Sequence, residues 1–144
     1  MLIGEYRHTI DPKKRISLPA KIRKELGKNV VITHGLDNCL SVYPMSEWEK
    51  VSLKLRGLSM GQADTRGFNR FMLSGAALVE IDSLGRILIP DFLREFGKLR
   101  NRVVLIGVND HLEVWDEKIW SAYKKRIEKQ ADQLAEKLGE IGAI

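Results

Sequence analysis

Two five-residue segments place an arginine four positions after an aspartate. They are Asp11-Pro12-Lys13-Lys14-Arg15 and Asp82-Ser83-Leu84-Gly85-Arg86. An aspartate carboxylate accepts hydrogen bonds from backbone amides two or three residues further on, which closes a tight turn. The arginine that follows the turn is near enough to pair with the same carboxylate. We therefore expect two turns stabilised by Asp11 and Asp82, each with an Asp–Arg ion pair.

The first segment carries more positive charge than an ion pair requires. Lys13, Lys14 and Arg15 are consecutive, and Arg7 lies on the strand before them. An exposed two-stranded tip with three cations suits a DNA groove, where lysines hold phosphates and an arginine offers two parallel donors to a guanine edge. We predict DNA contact by these four residues. The second segment lacks lysines, so Arg86 is a candidate for either DNA contact or subunit contact.

The distribution of charge favours a polyanionic partner. The net charge is +5, and residues 1–72 hold 13 of the 24 Lys and Arg residues but only 7 of the 19 Asp and Glu residues. Clustered cations release counterions when they meet phosphates, which drives nucleic-acid binding. A solvated surface that only keeps the protein soluble is the alternative explanation.

Several function classes lack the residues they require. Cys39 is the only cysteine, which excludes an intrachain disulfide and a cysteine zinc cage and favours a reducing cytoplasm. No apolar run approaches the ~20 residues that span a bilayer, and the N-terminus does not have the pattern of a signal peptide. The three histidines are scattered, and no nucleophile elbow or phosphate-binding glycine loop is present. We expect no enzyme activity, metal, cofactor, small-molecule substrate or membrane partner.

An internal repeat organises the elements around the two turns. At an offset of 71, residues 10–19 match residues 81–90 at five of ten positions, and further matches extend to Trp48 and Trp120. Each copy should contain a hairpin, a short helix, a second hairpin and a closing helix. The first hairpins pair residues 3–10 with 15–18 and residues 77–81 with 86–89. Prolines at 19 and 90 should start helices 20–26 and 91–96.

The second half of each copy follows the same scheme. The second hairpins should pair residues 30–33 with 39–43 and residues 103–106 with 112–115. Ser46 and Glu49 have the spacing of a capping box, and Asp116 should cap the last helix. An apolar stripe on that helix indicates either core or subunit contact. Because each copy of ~70 residues has a thin core, the two should pack together, joined by a partly helical connector over residues 59–70.

The doubled hairpin–helix–hairpin unit with Asp-x-x-x-Arg at its first tip resembles the MraZ family of the AbrB/SpoVT-like swapped-hairpin superfamily. The resemblance implies an α+β fold of two tandem ββαββ modules, residues 5–47 and 76–119, which form an intramolecular pseudo-dimeric β-barrel with flanking helices. Residues 120–144 form the C-terminal helix. The family signature falls on Asp11, Arg15, Asp82 and Arg86.

The same resemblance implies a function. It is that of a sequence-specific, DNA-binding transcriptional regulator, cytoplasmic and nucleoid-associated, which represses its own division and cell-wall gene cluster. Its partners would be double-stranded DNA at promoter repeats and further copies of itself in a ring-shaped homo-oligomer. An antitoxin-like or architectural DNA-binding module is the alternative.

Overall fold

The computed structural model describes residues 1–144 and has eight strands and five helices. The first half contains β1 (Leu2–Thr9), β2 (Arg15–Ser17), α1 (Ala20–Leu26), β3 (Asn29–His34), a 3-10 turn (Leu36–Asn38), β4 (Leu40–Pro44) and α2 (Met45–Arg56). A connecting helix follows, α3 (Ala63–Ser74). The second half contains β5 (Ala77–Glu80), β6 (Arg86–Leu88), α4 (Asp91–Phe96), β7 (Arg102–Asn109), β8 (Leu112–Asp116) and α5 (Glu117–Glu140). The same order of elements therefore occurs twice, as the repeat predicts.

The predicted first hairpins are wrong, because their strands pair with the other half of the chain. Strand β1 pairs with β7, β5 pairs with β3, and β2 pairs with β6, all antiparallel. The lengths of the strands explain the exchange. Eight residues of β1 would leave most of their backbone groups unpaired against the three-residue β2, whereas β7 matches β1 residue for residue from Leu2 to Thr9.

The strands form an open six-stranded sheet and a separate two-stranded ribbon. The sheet has the order β1-β7-β8-β4-β3-β5, so corresponding strands of the two halves are placed symmetrically about the β4–β8 pair. Strands β1 and β5 are its edges, and β2 with β6 makes the ribbon. These hydrogen bonds do not close a barrel, and the pseudo-dimeric barrel is therefore not confirmed.

One apolar core lies between the ribbon, the short helices and the sheet. It contains 17 buried residues from both halves, among them Ile16 and Ile87 of the ribbon and Ile22 and Leu93 of α1 and α4. All four are almost completely removed from solvent. Since the apolar residues of each half cover those of the other, neither half has a complete core of its own.

The starts of the two long helices differ from each other. Helix α2 begins at Met45 after Pro44, so the predicted capping box is wrong: Ser46 lies inside the helix and no side chain caps it. Strand β4 extends as far as Pro44, whose fixed φ ends it there and admits a helix directly. The prediction for Asp116 is confirmed, because its Oδ2 accepts from the backbone N–H groups of Lys118 and Ile119 at 3.2 and 3.4 Å.

Helix α5 packs on the sheet only through its first turns. Trp120 and Tyr123 lie against Trp115 of β8, with ring centroids 5.3 and 4.9 Å from it. All residues from 128 to 144 are exposed, including Leu134 and Leu138 of the predicted apolar stripe. The first part of the stripe therefore packs within the chain, and the part that contains Leu134 and Leu138 is exposed to solvent. None of the helices combines the length and the apolarity needed to cross a membrane.

Candidate nucleic-acid interface

The first turn is closed by Asp11 in the way its sequence predicts. Its Oδ1 accepts from the backbone N–H groups of Lys13 and Arg15, both at 2.9 Å. Its Oδ2 accepts from Arg15 Nε at 2.7 Å. The backbone hydrogen bond from Arg15, together with the one from the arginine side chain, lowers the pKa of the Asp11 carboxyl. The carboxylate is therefore charged, and the arginine is oriented, at neutral pH.

The second turn repeats this geometry. Asp82 Oδ1 accepts from the backbone of Leu84 at 3.0 Å and of Arg86 at 2.9 Å, and Oδ2 accepts from Arg86 Nε at 2.8 Å. The backbone hydrogen bond from Arg86 lowers the pKa of Asp82 as well. Both arginines donate Nε to the aspartate of their own turn, and their paired Nη groups make no hydrogen bond in the structure. These Nη donors are therefore available to a partner.

The ribbon brings the two arginines to one surface. Ile16 lies opposite Ile87, and both side chains are fully buried in the core. Arg15 lies opposite Leu88 and Ser17 lies opposite Arg86. Because alternate residues of a strand face opposite sides, Arg15 and Arg86 share the outer face, on diagonal positions. Their side chains are 27% and 25% exposed.

Each turn is anchored to the other half of the chain. Leu18 donates its backbone N–H to the Gly85 carbonyl at 2.9 Å, and Ile89 donates to the Lys14 carbonyl at 3.1 Å. The two turns are therefore held by equivalent contacts on one rigid scaffold. We call the surface formed by the ribbon and both turns the ribbon face.

The lysines of the first turn are free. Lys13 and Lys14 are exposed and neither makes an ion pair. Lys14 has φ of +66°, in the left-handed region where its counterpart Gly85 has φ of +79°. A lysine pays a steric penalty in this conformation that glycine avoids, so the first turn accepts some strain in presenting this cation.

A polar cleft of about 480 Å³ adjoins the first turn, and residues that the sequence did not single out contribute to it. Its lining includes Lys14, Arg94 and Arg100. The offset of 71 in the internal repeat aligns Arg94 with Arg23, but the position of Arg94 beside a turn from the other half depends on the strand exchange. The sequence repeat therefore identifies Arg94 but does not show that it lies beside the first turn.

Arg7 lies apart from this cluster. Its strand pairs with β7 and not with β2, and Arg7 lies roughly 13 Å from Asp11 at ~3.3 Å per strand residue. Its guanidinium is near Glu5 at 3.7 Å and Glu117 at 3.9 Å. The structure brings Lys13, Lys14, Arg15 and Arg86 together and does not bring Arg7 with them.

Other reactive side chains do not form a second centre. No group of three or more His, Cys, Asp or Glu side chains is arranged to hold a metal ion. Cys39 is buried, its Sγ donates to the Leu36 carbonyl at 3.2 Å, and burial raises the pKa of its thiol. A buried neutral thiol of this kind is an inert core residue.

Comparison with known families identifies the repeated unit of the chain. The family model described as "MraZ protein, putative antitoxin-like" matches residues 1–71 and matches again over residues 72–139. The chain belongs to the MraZ family. The boundary between the two matches coincides with the offset of the internal repeat, so each half is one MraZ unit.

Relatives within the MraZ family align over nearly the whole chain. A protein of Moorella thermoacetica is 49% identical over 138 residues, which cover 96% of each sequence. One from Caldanaerobacter subterraneus subsp. tengcongensis is 46% identical over 138 residues, with the same coverage. A third, from Thermoanaerobacter sp. strain X514, is 45% identical over 141 residues, 98% of this chain and 99% of the relative. All three are named transcriptional regulator MraZ.

Proposed function

We propose that the chain is a sequence-specific, DNA-binding transcriptional regulator that uses the ribbon face to bind DNA. The observation that carries this proposal is the placement of Arg15 and Arg86 on one outer face, each oriented through Nε, with Lys13 and Lys14 beside them. The names of its relatives in the MraZ family support the same role.

The arginines and lysines of the ribbon face suit different parts of the DNA. The major groove is about 12 Å wide and admits a two-stranded ribbon. Arg15 and Arg86 present paired Nη donors that match the O6 and N7 acceptors of guanine. Lys13 and Lys14 are flexible point charges that suit phosphates and carry no sequence information. Arginines thus supply specificity, and lysines supply affinity that depends on salt.

Binding to several DNA repeats follows from the small size of this surface. One ribbon with a handful of phosphate contacts binds weakly at physiological salt. Several ribbons in one ring-shaped homo-oligomer would act together, since linking sites raises the effective concentration of the next contact. We infer that such a ring binds repeats in the promoter of the protein's own gene cluster, as a cytoplasmic, nucleoid-associated repressor. The non-identical halves suit the head-to-tail contacts of a ring.

The test of DNA recognition compares two variants that each lose one positive charge, Arg15→Ala on the ribbon face and Lys129→Ala as the control. Fluorescence anisotropy with a duplex from the protein's own promoter region should show tight binding by the wild type and a loss of specific binding by Arg15→Ala. Lys129→Ala on the exposed part of α5 removes the same charge far along a projecting helix and should bind as the wild type does. Circular dichroism checks that both variants fold. Wild-type affinity in Arg15→Ala would contradict the proposal.

The ring is tested separately by light scattering behind a sizing column. A mass several times that of the 16.4 kDa chain is expected at micromolar concentration. A monomer mass across that range, or equal affinity for one repeat and for several, would exclude the multivalent arrangement.

An antitoxin-like or architectural module is the second candidate, because the description of the family includes the word antitoxin-like. An architectural protein binds any duplex alike, so equal affinity for promoter and unrelated DNA would favour it. An antitoxin would co-purify in fixed stoichiometry with a second protein, which a mass measurement of the purified complex detects.

A further inference from the structure

Arg23 of α1 covers the second turn. Gly85 is buried although it lies at an outer turn, whereas its counterpart Lys14 is exposed. The Arg23 side chain lies directly on Gly85, and a Cβ at position 85 would overlap the Cδ and guanidinium atoms of Arg23. The absence of a side chain at position 85 therefore makes room for a cation from the other half of the chain.

The equivalent arginine of the second half is engaged internally. Arg94 stands at the position of Arg23 in the repeat. Its Nε donates to the Ile89 carbonyl at 3.3 Å, and its Nη2 pairs with Asp91 one helical turn earlier. The position that matches Asp91 in the first half is Ala20. Arg23 consequently has no carboxylate one helical turn before it, and the carboxylate of Glu25 on the same helix pairs with the N-terminal amino group instead. The Arg23 side chain makes neither an ion pair nor a hydrogen bond in the structure.

This difference gives both turns of the ribbon face a cation that can meet a phosphate. A ribbon in a groove has a phosphate backbone on either side. The first turn has Lys13 and Lys14 to meet one backbone, and the second turn has Leu84 and Gly85 at the same positions. Arg23, held over Gly85 with its charge unpaired, adds a cation to the second turn, whose own residues supply only Arg86.

We propose that Arg23 binds a DNA phosphate beside the second turn, and that Gly85 and Ala20 keep it free to do so. The proposal rests on the DNA-binding function proposed above and deepens it. It assigns phosphate contact to a residue outside both Asp-x-x-x-Arg segments. Gly85 acts as a positioning residue, since it provides the space on which the guanidinium lies.

The first test removes the positive charge of Arg23 and keeps much of its side chain. Arg23→Gln keeps the stem that packs on Gly85, and Lys129→Gln on the exposed part of α5 is the control that removes the same charge away from the ribbon face. Anisotropy titrations over a range of salt should show that Arg23→Gln makes the slope of log K against log salt shallower by about 0.9 for each ribbon engaged, equivalent to about fivefold weaker binding at 0.15 M salt. Promoter and unrelated duplexes should lose affinity alike, and Lys129→Gln should keep the wild-type slope.

The second test captures the arginine instead of removing it. Ala20→Asp places a carboxylate where Asp91 stands in the other half, at an exposed first helical position that tolerates an acid. It should weaken binding about as much as Arg23→Gln does. In the double variant Ala20→Asp/Arg23→Gln the aspartate should add little, because there is no arginine left to capture.

The outcomes separate this inference from the proposed function. Unchanged affinity and salt slope in Arg23→Gln, with binding abolished in Arg15→Ala, would overturn the role of Arg23 and leave the DNA-binding function intact. An aspartate effect that is as large in the double variant as in the single one would show simple repulsion and would overturn the capture argument. If the wild type binds no duplex, both proposals fail together.

Discussion

Arg86→Ala should impair DNA recognition as severely as Arg15→Ala. The two guanidinium groups are held by equal contacts, 2.8 and 2.7 Å from their aspartates, and are exposed to nearly the same degree on one face. A bidentate contact to a base contributes about 1–3 kcal/mol, which corresponds to roughly 5- to 150-fold in affinity. By contrast, loss of one phosphate contact costs about fivefold at 0.15 M salt.

The assay must distinguish recognition from simple loss of charge. Affinities for a promoter duplex and for an unrelated duplex of the same length are measured at one salt concentration, and their ratio is compared among variants. Both arginine variants should lower the ratio, because the lost contact is with bases. Thermal midpoints should stay within about 2 °C of the wild type, since each change removes a partly exposed side chain from the surface. A normal ratio in Arg86→Ala beside a reduced ratio in Arg15→Ala would refute the reasoning that one face carries both contacts.

Further variants test the turns, the core and the projecting helix. Lys13→Ala and Lys14→Ala should each weaken binding to all duplexes and flatten the salt dependence; a changed base preference at constant slope would contradict phosphate contact. Asp11→Asn should weaken specific binding although it removes a negative charge, because Arg15 loses its acceptor; tighter binding by anisotropy would show that net charge dominates. Since the backbone hydrogen bond from Arg15 lowers the pKa of Asp11, its stabilising contribution is present at neutral pH and is lost as the pH falls through that lowered pKa. The difference in thermal midpoint between wild type and Asp11→Asn should therefore shrink in strong acid. Ile16→Ala should reduce the free energy of unfolding by about 2–5 kcal/mol in urea titrations, and a loss below 1 kcal/mol would mean that the ribbon is not part of the core. A chain that ends after Glu128 should keep the wild-type thermal midpoint, because every later residue is exposed; a fall of more than about 4 °C would show that these residues support the fold.

The parts of the structure that depend on neighbouring residues could be predicted from the sequence. The repeat is visible by aligning the sequence with itself. The closure of both turns by aspartate, the helices that start after Pro19 and Pro90, and the cap at Asp116 depend on contacts within a few positions. The order of elements and the residues at the two turns followed from these local rules.

The parts that depend on distant partners could not be predicted in this way. Alternation along residues 3–10 indicates a strand but does not identify the strand beside it, and the predicted strand over residues 103–106 is too short to match the eight residues of β1. The sequence therefore predicts that Arg7 lies beside the first turn, although its strand pairs with β7. The alignment of Arg23 with Arg94 in the repeat does not show which turn either arginine contacts. The capping box at Ser46 failed because β4 extends to Pro44, so that the helix has already begun. Each of these errors concerns pairing or boundaries and not the type of element.

The exchange of β1 for β5 between the halves also determines when the chain can fold during synthesis. Leu2 pairs with Asn109 and Thr9 pairs with Arg102, so the first strand made waits for partners on the order of 100 positions later, a separation typical of slow folding. At ~5–20 residues per second, a ribosome needs roughly 5–20 s to deliver them. During that interval the nascent first half lacks the partners of β1 and β2 and half of its core. Folding of this protein is therefore expected to complete only after translation has passed β7, with the entire nascent chain acting as one cooperative unit.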